Sequence, residues 1–161
     1  MDWLRDAHAM EEQAEQMLSA TASRIQHYPV LKAKIESHLV ETRRQGQLIR
    51  GCIERRGGDT STLKDLAGKV TAMAQGLSGL FVSDEIVKAA MASYTFEHFE
   101  IASYRTLIGA ARALGDTETA RVCEEILVEE EAMAAWLQEH LPLVTGQFLG
   151  LADTPGATAK R

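Results

Sequence analysis

Ala90-Met91-Ala92-Ser93-Tyr94-Thr95-Phe96-Glu97-His98-Phe99-Glu100-Ile101-Ala102-Ser103-Tyr104-Arg105-Thr106-Leu107 is the stretch on which the fold turns. Steps of three and four pick out Ala90, Ser93, Glu97, Glu100, Tyr104 and Leu107, which lie along one face of a helix. Both ends of that face are apolar, as befits a helix directed at a protein core, but its middle is two glutamates.

Working outward, Ser83-Asp84 reads as an N-cap and Leu114-Gly115-Asp116-Thr117 as a tight turn, so this helix spans about 84–113. Three further long segments, about 3–27, 30–56 and 117–140, show the same periodicity. His27-Tyr28-Pro29 separates the first two, because proline cannot continue a helix interior. Arg56-Gly57-Gly58-Asp59 closes the second, with glycine free to take the positive φ of a helix C-cap. Pro142 is expected to end the last, leaving a frayed tail.

Each segment repeats the anomaly. The first face runs Leu4, Ala7, Glu11, Ala14, Leu18; the second Leu31, Ile35, His38, Glu41, Gln45, Leu48; the fourth Val122, Ile126, Glu129, Met133, Trp136. Leu39-Val40-Glu41 is echoed by Leu127-Val128-Glu129, a weak repeat that suggests two related hairpins. Between them, 57–83 carries Leu63, Leu66, Val70, Met73 and Leu77, enough for one short helix within a long crossover. Two short-turn hairpins joined by one long crossover is the connectivity of ferritin-like bundles. The expected fold is all-α: a ferritin-like four-helix bundle over 1–142, with a short extra helix in the crossover and a C-terminal tail over 143–161.

Composition agrees. Of 161 residues, 45% are hydrophobic and 6% aromatic, with three prolines, which suits long helices better than a β-sandwich. A chain of this size forms a core without disulfides. The formal charge is −6 and no basic block occurs, so phosphate-backbone binding to nucleic acid is not expected. No run approaches the ~20 apolar residues of a membrane span, and acids at Asp2 and Asp6 do not fit a secretory signal. Cys52 and Cys123 form no CxxC pair and read as reduced thiols of a cytoplasmic protein. No nucleophile motif or phosphate-cradling glycine loop follows a strand.

Burying an isolated carboxylate costs several kcal/mol or forces it to take a proton. Several facing one another repel unless protonated or bound to cations, and a pair of metal ions would relieve that repulsion. Oxygen ligands with one imidazole suit iron or manganese better than the sulfur-rich sets of structural zinc. His38 and Glu41, three residues apart, can reach the same face. The alternative is an ordinary bundle with every acid in water, as read for Glu12, Glu15, Glu36, Glu118, Glu124 and Glu131. A stripe misplaced by one residue rotates a side chain by about 100°, so periodicity alone leaves both readings open.

Three stretches carry a resemblance to a known family: Asp6-Ala7-His8-Ala9-Met10-Glu11-Glu12-Gln13, His38-Leu39-Val40-Glu41-Thr42-Arg43-Arg44-Gln45, and Glu97-His98-Phe99-Glu100-Ile101-Ala102-Ser103-Tyr104. With Leu127-Val128-Glu129-Glu130-Glu131, they resemble the YciE/YciF type of ferritin-like proteins, bacterial stress-associated helical bundles, over about residues 4–140. The resemblance implies a dinuclear centre of two metal ions, iron first with manganese or zinc as alternatives. The ligands it implies are Glu11, His38, Glu41, Glu97, Glu100 and Glu129, with Glu130 replacing Glu129 if the fourth-helix register is off by one. Glu41 and Glu129 would bridge the metals. The Glu-x-x-His order of many di-iron bundles is absent, and helix two has the reverse. His8 stands open as a further ligand, a partner of one, or a core residue, and Tyr104 as a hydrogen-bond donor to a ligand or as packing.

Two functions follow as expectations. One is a di-metal carboxylate protein of the bacterial stress response that binds metal and reacts with oxygen or peroxide. The other is a non-catalytic stress protein acting through self-association, with metal structural or absent. Leu77, Leu80, Phe81 and Val82 would then form a homodimer interface.

Overall fold

The structure is a computed structural model that describes residues 1–59 and 83–160. Within them lie four helices: α1 (Asp2–Arg24), α2 (Pro29–Arg55), α3 (Glu85–Ala113) and α4 (Thr117–Ala152). Helix α1 packs on α2, α3 on α4, and the two hairpins meet through α2 against α4 and α1 against α3. The four-helix, ferritin-like bundle read from the sequence is the observed fold. The short crossover helix, and the dimer interface expected at Leu77, Leu80, Phe81 and Val82, lie outside the described residues.

Local chemistry sets the helix ends. Pro29 opens α2, where its missing N–H would have no intrahelical partner. Gly57 (φ 72°) and Gly115 (φ 71°) end α2 and α3 in left-handed backbone. At each end two amides fold back onto the last turn: Gly57 onto Glu54 O and Gly58 onto Ile53 O, then Gly115 onto Arg112 O and Asp116 onto Ala111 O. Asp116 caps α4 through the Thr119 amide at 3.1 Å and accepts Arg55 at 2.7 Å and Arg56 at 2.5 Å.

Helix α4 does not stop at Pro142. It continues to Ala152, across the boundary expected at 142/143. A proline inside a helix costs about 3 kcal/mol. Beyond it, however, Val144 is buried and Phe148 and Leu151 pack on the same core as Leu18, Tyr28, Leu31 and Ile86. Burying such side chains gains about 1.5–3 kcal/mol each when complete, which outweighs the break. Nor does the tail fray as expected. Tyr28 Oη donates to Ala159 O at 2.5 Å, and the Ile86 amide donates to Lys160 O at 3.2 Å.

The interior is divided along its length. One apolar cluster holds Met10, Ile49, Ile53, Phe96, Leu107, Val122 and Ile126; the other holds Leu18, Ile35, Ala90, Met133 and Leu137. In sequence, His38 and Glu130 fall between members of the two clusters, and Glu11 and Glu100 lie within the first, between Met10 and Ala14 and between Phe96 and Tyr104, so the apolar interior is interrupted by a polar layer at mid-height.

Candidate metal centre

Four glutamates from three helices fill that layer: Glu11 on α1, Glu97 and Glu100 on α3, and Glu130 on α4. Each is at most 1% exposed, as is His38 on α2. His38 Nε2 lies 3.2 Å from Glu97 Oε2 and 3.6 Å from Glu130 Oε2, and these three residues can offer ligand atoms within 4.8 Å of one another. The other ring nitrogen, Nδ1, pairs with Glu41 Oε2 at 2.8 Å. Tyr104, one turn beyond Glu100, donates its hydroxyl to Glu11 Oε1.

The structure thus brings together four of the six residues implied at the outset: Glu11, His38, Glu97 and Glu100. It places the other two elsewhere. Glu41 sits at the rim with a third of its side chain (34%) exposed and holds the back of the His38 ring. Glu129 turns away from the interior, 27% exposed, and accepts from Arg44 Nη2 at 2.5 Å and Gln45 Nε2 at 2.9 Å. Neither faces the cluster, so the bridging pair expected from Glu41 and Glu129 is not seen. The inward acid of α4 is Glu130. The steps Ile126–Glu129–Met133 and Ile126–Glu130–Met133 both fit a helical stripe, and the outer partner decides between them. Arg44 spans Glu125 and Glu129, one turn apart, and holds both at the surface of the α2–α4 seam. That four-residue acid spacing was the available signal.

The electrostatics follow from burial. Glu100 is pushed well above the usual carboxylate range by burial and then by the charges of Glu130, Glu11 and Glu97. Glu11 is also raised well above it, by burial and Glu130, with the Tyr104 hydrogen bond pulling the other way. Burial lifts Glu97 to about 7 against the opposing pull of His38. For His38, burial alone would favour the neutral ring, but the facing carboxylates of Glu130 and Glu97 outweigh it and raise its pKa. The phenol of Tyr104 is driven up by burial and by Glu11.

Charge compensation is incomplete. Glu11 Oε2 and Glu130 Oε1 are buried without a hydrogen-bond partner, while Glu97 Oε2 and Glu130 Oε2 share the single His38 Nε2, at 3.2 and 3.6 Å. Unpaired buried carboxylate oxygens are costly. Four acids facing one imidazole and one phenol are a donor set that cations would complete, and an oxygen-rich shell with one nitrogen fits iron or manganese. The arrangement Glu41···Nδ1–His38–Nε2 is also the carboxylate–histidine pattern that orients imidazole ligands.

The remaining histidines stand apart. His98 is exposed with its ring edge-on to Tyr94, and His140 stacks on Trp136 with ring centroids 3.7 Å apart. His8 is buried beside Glu12. Cys52 and Cys123 are buried and unbridged. Among the described residues no helix is long and apolar enough to cross a membrane.

Comparison with known proteins places this geometry. The family described as "Domain of unknown function (DUF892)" matches residues 1–150. A Xanthomonas campestris protein of known crystal structure is 43% identical, with a TM-score of 0.81, over 95% of this chain and 94% of that one. The Escherichia coli stress protein YciF is 25% identical, with a TM-score of 0.67, over 87% and 90%. A dodecameric thioferritin, the bacterioferritin-related protein of Bacteroides fragilis, is 21% identical with a TM-score of 0.73 over 92% and 88%, and shares the fold. The family match over residues 1–150 and the likeness to solved structures over most of the chain agree: the protein belongs to the DUF892 family, of YciF type.

Proposed function

We propose that this chain is a di-metal carboxylate protein that holds two metal ions, iron first and manganese or zinc otherwise, and that with iron or manganese bound it reacts with dioxygen or peroxide under stress. One observation carries the reading: four carboxylates, Glu11, Glu97, Glu100 and Glu130, are buried in one layer around a single imidazole, and Glu11 Oε2 and Glu130 Oε1 have no hydrogen-bond partner. Glu11, Glu97, Glu100, Glu130 and His38 Nε2 would hold the metals. When bound, a redox-active metal pair supplies the electrons that reduce dioxygen or peroxide.

The chain's own residues do the rest. Glu41 fixes the His38 ring through Nδ1, so that Nε2 points at Glu97 and Glu130. Tyr104 fixes one oxygen of Glu11 and leaves the other to the interior. The apolar clusters above and below exclude bulk water and lower the local dielectric, which strengthens every charge interaction in the layer. Acids held protonated in the stripped chain must release those protons as cations bind.

A cytoplasmic setting fits the two unbridged cysteines, and a homodimer belongs to the same proposal. Elemental analysis of protein purified without an affinity metal column tests the reading, together with oxygen and peroxide consumption. Two equivalents of a transition metal with turnover are expected. Bound metal without turnover would favour a structural role, and absence of transition metal would leave a self-associating bundle.

A further inference from the structure

The interior acids are enclosed, so a cation can reach them only between helices. Where α1 lies against α2 the surface opens into a cavity of about 350 Å³ lined by His8, Glu11, Glu12, Thr42, Gly46 and Arg50 among others. It touches an interior acid, Glu11. Cavities at the two bundle ends, around Trp3 and around Ile86, touch none.

Three features distinguish this opening. His8 is 8% exposed, yet its Nδ1 is buried without a hydrogen-bond partner. One turn on, Glu12 Oε1 lies 3.9 Å from that nitrogen, too far for a hydrogen bond. Two ligand atoms each ~2.1 Å from one transition-metal ion stand about 3–4 Å apart, so the pair is spaced to share a cation. Gly46 then keeps the way inward clear. A Cβ there would sit 3.5 Å from Glu11 Cβ, so any larger side chain would stand over Glu11. Of the arginines on the lining, Arg43 pairs with Glu15, also on the lining, at 2.7 Å, and Arg50 pairs with Glu54 at 2.9 Å while its charge still reaches His8; neither forms an ion pair with Glu12 among the described residues.

We infer that His8 and Glu12 form an outer, transiently occupied site for a divalent transition-metal cation at the mouth of this groove, a two-ligand site too weak to keep its ion once the interior is loaded. From there the ion passes Gly46 to Glu11. The inference rests on the interior acids being a metal centre, and the test separates the two. The full chain, stripped with chelator, is mixed with Co²⁺ alone, and both the rate of uptake and the final Co²⁺ content are read by absorbance. Concentrating cations at a charged cleft raises association rates ~10-fold or more, so His8→Ala, Glu12→Gln and Gly46→Leu should each slow uptake about tenfold. Final content should equal that of the unaltered chain, and Gly46→Ala should load at nearly the original rate. Circular dichroism checks each fold; if Gly46→Leu fails to fold, the other two substitutions carry the test. Unchanged rates in His8→Ala and Glu12→Gln would overturn the route while leaving the interior centre intact. A lower final content in His8→Ala would make His8 a resident ligand and overturn its outer role. No uptake by the unaltered chain would overturn both.

Discussion

Asp116 and the mid-height glutamates are acids handled in opposite ways by one fold. At the end of the bundle, Asp116 receives Arg55, Arg56 and the Thr119 amide and hydroxyl, and these hold it well below the usual carboxylate range despite the cost of its burial. At mid-height, Glu11, Glu97, Glu100 and Glu130 share one imidazole and one phenol, and the resolved shifts of the first three are upward. The protein has arginines to spend. It places Arg44 against Glu125 and Glu129, just outside the layer, and none of its described ion pairs brings an arginine to the four interior acids. A fold that pairs its peripheral acids with arginine and gives its central ones a single imidazole is the contrast on which the proposed metal centre rests.

The largest test of this contrast is metal itself. A cation at about a hundred times its dissociation constant adds ~2.7 kcal/mol. For a chain of this length that is roughly 5–10 °C in Tm. Thermal melts of stripped and Co²⁺-loaded protein should show this shift, and Glu130→Gln should abolish it.

The stripped chain should then depend on pH in the unusual direction. Glu11, Glu97 and Glu100 bind protons more tightly folded than unfolded, so folding takes up protons between the ordinary carboxylate pKa of 4.5 and the value of about 7 held by Glu97. Stability therefore falls as pH rises through that window, by roughly 2–3 kcal/mol from Glu97 alone, with Glu11 and Glu100 adding losses of the same sign. His38, also raised, adds a loss of the same sign above its ordinary 6.5. Urea midpoints at about pH 5 and pH 8 read this difference, and saturating metal should reverse its sign by replacing the protons.

Tyr104→Phe should cost the stripped protein about 2 kcal/mol by leaving a second buried Glu11 oxygen unpaired. It should also weaken metal binding roughly 10–100-fold, as loss of a group orienting a ligand does; urea melts and Co²⁺ titration separate the two effects. Asp116→Ala removes a helix cap and should cost about 1–2 kcal/mol near neutral pH without altering metal content. The contribution of Asp116 is present above the ordinary carboxylate range and is lost as pH falls through its depressed pKa, the opposite of the interior acids. Gly57→Ala, forced into φ 72°, should cost about 1 kcal/mol by thermal melt, with the metal-induced shift unchanged.

Most of the architecture was legible because periodicity and punctuation are local. Apolar steps of three and four marked all four helices, and Pro29, Gly57 and Gly115 act where backbone chemistry requires. Pro142 misled because its local penalty is certain, whereas the burial of Val144 and its neighbours that overrides it depends on distant helices. In the site, Glu11, His38, Glu97 and Glu100 lie on the apolar stripes and face inward as those stripes imply, whereas Glu41, on the same stripe as His38, stands at the rim. Glu129 and Glu130 differ by one residue on a face where either fits, and Arg44 on another helix separates them.

By itself, then, the sequence determined a helical bundle with two short turns, and acids on faces that ought to be apolar. Tertiary structure alone decided which of those acids meet, that Glu130 and not Glu129 joins them, and that Glu41 stands behind the histidine instead of beside it. The division has a physical cause: helix formation answers to neighbours along the chain, whereas the state of a carboxylate depends on which charges and how much water other helices bring within a few ångströms.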